Sequence, residues 1–512
     1  MHISLFLTSL QLTRNSDTPL FRQLYAAIKQ AILNGALPVG MQLPPSREFC
    51  QHLAISRQTV LNAYELLLAE GYLSGTVGKG TYVNVDLPQP PAKRTLVHTK
   101  STKSTMPTTT TTPIAPALSK RGRQFLEFAS PAPVHHDKSR AFRVSMPGLD
   151  VFPFDVWSRL EARRWRHHEN KLGYSDPAGD ARLRELLAVY LKTSRGVDCL
   201  PEQIIITSGS QQALYLLAST LLDPGERAWV ESPGYRGAIS ALYAAQAEVC
   251  HIPVDQEGFD VDFAARHYLH AKVVCVTPSR HLPLGMTMSL QRRLDLLAWA
   301  KAHSAWIIED DYDSEYRYKG APIASLQSLD NNGNVVYVGT MSKVLFPGLR
   351  LGYMVVPTDL VAHVIQAKSM LDRHTAIVPQ MVLADFISEG HFGRHIKRTR
   401  KLYAQRQATL LDAIQFYLAD ELDCGHADGG LDLAVHFRTR RSEAAVVQAG
   451  AAAGLELRPL SFFLSPRAEY VSPAYSPGLL LGFSSLNEDE IMSSSLLLRE
   501  VLSSTKRSRS TT

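Results

Sequence analysis

Lys343 stands in YVGTMSKVLFPGLRLGY, where a run that reads as a buried strand passes into a Gly/Pro-rich turn. An ammonium group leaves water reluctantly unless it is paired or chemically used, and leucine would pack there at less cost. A lysine amine can form a Schiff base with an aldehyde, and partial desolvation helps by lowering its pKa. Arg350, seven residues on, offers a two-pronged fork for a phosphate. Three other strand ends carry complementary chemistry. In IITSGSQQAL the residues Ser208, Gly209, Ser210 and Gln211 lie between a strand and a helix start. Free backbone N–H groups, the helix dipole and a serine hydroxyl there suit a phosphate. In AWIIEDDYDSEY a buried strand runs into clustered carboxylates. One of these, fixed beneath a pyridine nitrogen, would keep it protonated and the ring an electron sink. In VESPGYRG, Tyr235 follows a strand on a turn, where its ring could stack on a ligand. Taken singly, each feature has a plainer reading: a solvated loop lysine, one of many Gly/Ser turns, an acidic loop, a packed tyrosine.

An aldehyde trap, a carboxylate for a ring nitrogen, a phosphate cradle and a stacking ring are together what pyridoxal 5′-phosphate requires. The stretches GYSDPAGDARLREL, ITSGSQQAL, IIEDDYDSEY and GTMSKVLFPGLRLGY resemble fold-type I aminotransferases, and the likeness runs from about residue 140 to 490. The resemblance implies that Lys343 holds the cofactor as a Schiff base and that Asp310 partners its ring nitrogen. It also implies that Tyr312 bonds the phenolic oxygen, while Arg350, Ser210, Gln211 and Thr340 hold the phosphate. No residue set suggests a metal.

Two departures from that pattern bear on function. VTPSRHLPLG stands where related proteins read something like TPSHQFPTG, so Arg280, His281 and Leu284 replace residues expected to line the cofactor's oxygen side and the substrate space. GLLLGFSSL, with Leu480, occupies the region where amino-acid aminotransferases carry a carboxylate-binding arginine. Losing that charge-assisted pair costs an amino-acid ligand about 1.5–3 kcal/mol. Arg280 or Arg458 could supply a substitute, which the sequence alone does not show.

The elements that must position these residues are short apolar runs: QIIITSG, RAWVESP, KVVCVTP, AWIIEDD, NVVYVGT and LGYMVVP. Helical stretches such as QQALYLLASTLL lie between some of them, which predicts an α/β fold with a largely parallel or mixed sheet. Ligands bind at the strand ends of such folds. Residues 139–505 are therefore expected to form a large aminotransferase-like domain.

A Thr/Pro/Ser-rich segment, expected to be a flexible linker over residues 86–138, separates this body from a smaller head over 17–85. In the head, Phe21, Leu24, Ile28 and Ile32 mark an amphipathic helix ending at Asn34-Gly35. After the turn PVGMQLPP come a second helix, SREFCQHLA, and a third that Ser56 can cap and Gly71 ends. YLSGTVGKGTYV then reads as a hairpin around a Gly-rich tip. This is a winged helix-turn-helix, in which Ser56, Arg57, Gln58 and Thr59 would face base edges in the major groove. Arg57 suits guanine, while Arg47 and the wing's Lys79 suit phosphates. LPPSREFCQHLAISRQTVLNAYELLLAEGYL resembles the DNA-binding domain of GntR-type bacterial regulators, apart from Pro45 in place of a small polar residue. Head and body together resemble the MocR family of bacterial regulators. That implies a homodimer bound to operator DNA, with pyridoxal 5′-phosphate, or its adduct with an amine or amino acid, as effector.

Composition narrows the classes further. The 512-residue chain is 45% hydrophobic and 20% charged, ordinary for a globular protein, and no apolar run is long enough for a membrane span. MHISLFLTSL lacks the basic flank and cleavage site of an export signal. Five scattered cysteines without metal spacing suit a reducing cytoplasm. A net charge of +6 permits nucleic-acid binding without requiring it. Three functions compete: a cofactor-binding regulator, a working aminotransferase with an accessory head, and a regulator that has lost the cofactor. Retention of Lys343, Asp310, Tyr312 and Arg350 argues against the third, and Leu480 weakens the second, leaving sustained catalysis an unexpected outcome.

Overall fold

The computed structural model describes residues 16–76, 80–87, 140–166, 172–320 and 323–505, with isolated positions between them. Lys79 and most of the segment 86–138 lie outside the described residues. The chain divides into two units, Met1–Ile114 and Ala115–Thr512.

In the first unit, spacings of three and four residues on α1 (Leu20–Leu33) bury Leu24, Ile28 and Ile32, together with Ala31. Phe21, expected on the same face, is only partly covered. These side chains meet Phe49 of α2 (Ser46–Leu53) and Val60, Ala63 and Leu67 of α3 (Arg57–Ala69), all fully buried. Tyr64 packs edge-on against Phe49 and donates its hydroxyl to the Pro44 carbonyl at 3.0 Å, tying α3 to the start of α2. PVGMQLPP is more than a turn. It contains β1 (Gln42–Leu43), which pairs with β3 (Gly80–Val83), while β3 also pairs with β2 (Leu73–Thr76). The wing is therefore a three-stranded sheet.

The second unit is built on an eight-stranded sheet in the order β4-β11-β10-β9-β8-β5-β6-β7. Its strands are β4 (Ile204–Thr207), β5 (Arg227–Ser232), β6 (Glu248–Asp255), β7 (Gly258–Phe259), β8 (Val273–Val276), β9 (Trp306–Asp311), β10 (Val335–Thr340) and β11 (Gly352–Val355). The run β10-β9-β8-β5-β6 is parallel, whereas β11 is antiparallel to both β10 and β4. Alternate residues face opposite sides, so Ile308 joins a cluster with Leu217 and Leu242 while Ile307 joins one with Leu296 and Trp299. Burial on both faces explains why these strands read as continuous apolar runs.

A smaller antiparallel sheet follows: β12 (Leu422–Cys424), β13 (Asp432–Phe437), β14 (Arg458–Pro459) and β15 (Gly478–Gly482), in the order β12-β13-β15-β14. The helices His391–Tyr417 and Glu488–Ser504 pack on it through Leu410, Ile414 and Leu498. No helix among the described residues is long and apolar enough to cross a membrane.

Candidate functional site

Parallel pairing sends the C-terminal ends of β5, β8, β9 and β10 to one edge of the large sheet, where β4, antiparallel to β11, also ends; there Val338 lies beside Asp310 and Gly339 beside Asp311. The loops leaving that edge enclose a cavity of about 170 Å³. Ser210, Gln211, Tyr235, Asp310, Tyr312, Thr340, Lys343 and Arg350, all singled out from the sequence, line it together. Ser145, Thr277, Leu282, Ser342 and Pro347 complete the wall.

One end is a strand–turn–helix cradle. Gly209 has φ +101° at the start of the helix Ser210–Leu221, a backbone geometry that an L side chain resists. A Cβ at Gly352 would fall 2.9 Å from the Gly209 Cα, so β11 lies directly against this turn. The Arg350 guanidinium lies 3.4 Å from where a Cβ on Gly209 would sit. The first-turn N–H groups, which have no partner within the helix, thus share the place with a guanidinium. Gln211 donates to the Gly237 carbonyl at 2.9 Å, and Thr340 Oγ1 accepts from the Ser342 N–H at 3.2 Å.

At the other end the carboxylates of EDDYD divide their work. Glu309 accepts the backbone N–H groups of Leu326 and Gln327, each at 2.8 Å. Asp311 is ion-paired with Arg195 and accepts the Tyr337 hydroxyl, each at 2.6 Å. Asp313 pairs with Arg280 at 3.0 Å. Asp310 alone of the four makes no hydrogen bond among the described residues, although it is only 4% exposed and its Oδ1 is fully enclosed. Burial, with the negative charge of Asp311, pushes its pKa up to about 7 against the pull of Lys343.

Lys343 Nζ donates to the Ser145 carbonyl at 3.1 Å. Burial lowers the Lys343 pKa, and the charges of Asp432, Asp313 and Asp310 oppose that shift. Asp432 and Ser145 were not visible in the sequence as site residues: they are 287 positions apart, and only folding brings them together.

The expectations for VTPSRHLPLG need correction. Arg280, His281 and Leu284 do not line the cavity; Leu282 does. Arg280 donates to the Tyr312 hydroxyl at 2.9 Å, to Asp313 at 3.0 Å and to the Asp432 carbonyl at 2.6 Å, so it is not free to receive a ligand carboxylate. His281 is turned to the Pro233 carbonyl at 3.0 Å, and burial holds its pKa down to about 3. Arg458, the other candidate substitute, does not line the cavity either. It pairs across β14–β15 directly with Leu480, and its guanidinium lies 4.5 Å from the Phe462 ring, over which Arg236 also sits at 4.8 Å.

In the head, Ser56 Oγ accepts the Thr59 N–H at 3.1 Å and contacts Thr59 Oγ1 at 2.8 Å, so both residues serve the helix cap. Arg57 is exposed, with Nε donating to Ser46 Oγ at 3.3 Å, which sets the starts of α2 and α3 side by side. Gln58 donates to Asn62 at 2.7 Å, and Arg47 is exposed beside Ser46. Arg47 and Arg57 therefore lie near one another with charged ends in solvent.

Two family models match the chain: aminotransferase class I and II over residues 148–466, and bacterial regulatory proteins of the gntR family over 20–83. The probable rhizopine catabolism regulatory protein MocR of Rhizobium meliloti is 38% identical over 93% of this chain and 92% of its own length. A Bacillus subtilis protein named uncharacterized HTH-type transcriptional regulator YhdI is 33% identical, covering 94% of this chain and 95% of its own. Among solved structures, a Pyrococcus horikoshii kynurenine aminotransferase in complex with PMP superposes with a TM-score of 0.66 at 27% identity, over 77% of this chain and 96% of that one.

Proposed function

The chain belongs to the MocR family of HTH transcriptional regulators, and from that premise we propose that it binds operator DNA through the head and pyridoxal 5′-phosphate in the body, as the effector or as the carrier of an amine effector. The observation that carries this is the cavity in which Lys343 and seven other residues singled out from the sequence come together. The residues fit the cofactor. Asp310 has a buried oxygen without a partner, as a protonated ring nitrogen requires, and the turn at Gly209 sets the Arg350 guanidinium beside a helix start. When bound, the cofactor supplies an aldehyde for primary amines and a ring that stores electrons. Lys343 attaches it, Asp310 holds the nitrogen proton, and Tyr235 covers the ring. Arg350, Ser210, Gln211 and Thr340 take the phosphate, and Tyr312, steadied by Arg280, meets the phenolic oxygen.

In this reading residues 17–85 contact DNA through Arg47, Arg57, Gln58 and Lys79, residues 86–138 tether the head, and residues 139–505 sense the ligand. The protein acts as a homodimer in the cytoplasm, where its DNA is. Arg458 favours a second reading, an aminotransferase that holds an amino-acid carboxylate opposite Leu480. The deciding experiment is spectroscopic. The purified protein should take up pyridoxal 5′-phosphate and turn yellow, borohydride should fix the label on Lys343, and common amino acids should not give multiple turnovers. A colourless protein in excess cofactor, or label on another lysine, refutes the proposal. Sustained turnover with a keto-acid acceptor selects the second reading.

A further inference from the structure

Ser145 has φ +59°, a left-handed conformation that a serine adopts only when its surroundings hold it there. The holder is Asp432, the first residue of β13. Its Oδ1 accepts the Ser145 N–H at 2.6 Å and its Oδ2 the Ser145 hydroxyl at 3.2 Å. With the N–H and hydroxyl taken up by Asp432, the Ser145 carbonyl accepts Lys343 Nζ. Asp432 is itself held from behind, because Arg280 donates to its carbonyl oxygen at 2.6 Å. A carboxylate only 1% exposed, with both oxygens directed at one strained peptide, is costly unless it does something for its neighbours.

We infer that Asp432 is a positioning residue for Lys343: through Ser145, whose carbonyl accepts the amine, it fixes where the amine sits, and its carboxylate favours the ammonium form. The groups facing Lys343 come from every wall. Asp310 and Tyr312 at the end of β9, Tyr235 after β5 and Arg350 from the lysine's own loop line the cavity with it, while the charges of Asp313 and of Asp432 in the small sheet reach it from behind, both held by Arg280. Among these charges, that of Asp432 acts most strongly on the lysine and favours the ammonium form. Asp310 and Asp313 act in the same direction more weakly. Asp432 thus sets how readily Lys343 becomes a free amine, and with it the pH at which the body captures its cofactor.

This inference rests on Lys343 being the attachment point, but it can be tested without cofactor. In cofactor-free full-length protein, the rate of reductive methylation of Lys343 is followed by peptide mass spectrometry across a pH series. In Asp432→Asn, which keeps an acceptor for the Ser145 N–H but loses the charge, the midpoint of that profile should fall by about one to two pH units. Below the midpoint, Lys343 should then react roughly tenfold faster or more. Asp432→Ser, also neutral, stands in should the Asn variant not fold. Ser145→Gly, which keeps the N–H and the carbonyl, should leave the midpoint near that of wild type. An unmoved or raised midpoint in a folded neutral variant overturns the inference. Failure of borohydride to label Lys343 in the wild type would instead refute the proposed function, which keeps the two results separate.

Discussion

Asp310 is a carboxylate that folding encloses without giving it a hydrogen bond, and this has a consequence measurable without any ligand. Its pKa rises from 3.8 to about 7, chiefly through burial. The folded state therefore favours the neutral acid, a contribution fully present below about pH 4 that disappears as the pH rises through about 7. Glu231 and Glu309 are shifted in the same direction, so the useful quantity is the difference between wild type and Asp310→Asn. In cofactor-free protein, chemical denaturation should show the Asn variant gaining on wild type as the pH rises from about 4 to about 8. With cofactor, the same variant should bind more weakly, by roughly tenfold or more, because the ring nitrogen loses its counter-charge. A constant difference across pH would mean that Asp310 already has a partner. Lys343 was legible in the sequence because it is a polar residue just beyond a buried run, where a mismatch of environment shows locally, whereas Asp310 was one of several carboxylates until the family resemblance singled it out. Asp432 and Ser145 were not legible, because a hydrogen bond across 287 residues leaves no local trace. Arg280 was misread for the converse reason, since a free arginine and one whose two terminal nitrogens are held by Tyr312, Asp313 and a distant carbonyl look alike as text.

Elements follow the same division. The central strands are buried on both faces and long enough to declare themselves, so the large sheet was readable before its order was known. The two-residue strands β1 and β14 have no pattern of their own and exist only because β3 and β15 pair with them. The small sheet as a whole went unread, although it supplies Asp432 and sets Arg458 opposite Leu480. The proposed phosphate cradle is likewise a property of an element rather than of one side chain, because it needs β4, the Gly209 turn and a helix start in register. Gly209→Ala forces a Cβ into a glycine-only conformation, at a cost of about 1–3 kcal/mol, and sets it in contact with the Arg350 guanidinium. It should therefore weaken pyridoxal 5′-phosphate roughly tenfold or more while changing the binding of pyridoxal, which has no phosphate, much less. Titrations of both ligands give the ratio. Equal losses would place the phosphate elsewhere.

For the whole molecule, the head matches a DNA-binding family and the body a cofactor-binding one, and regulation requires a coupling free energy between them. Such a coupling is reciprocal. If the cofactor changes operator affinity by some factor, operator DNA must change cofactor affinity by the same factor. Fluorescence anisotropy of labelled operator with and without cofactor, and cofactor titrations with and without operator, should therefore return one number, typically between about 5 and 150. A cofactor that occupies the pocket equally well in both states shifts nothing, however tightly it binds. The difference must come from something that only one state satisfies, and attachment to Lys343 is the proposed candidate, because the lysine bonds Ser145, which bonds Asp432, both brought in from outside the large sheet. Lys343→Ala should accordingly keep operator binding at the cofactor-free level and lose the coupling in both directions. Should that variant still respond fully to pyridoxal 5′-phosphate, the two-way test would show occupancy of the cavity, rather than attachment to the lysine, to be what the head senses.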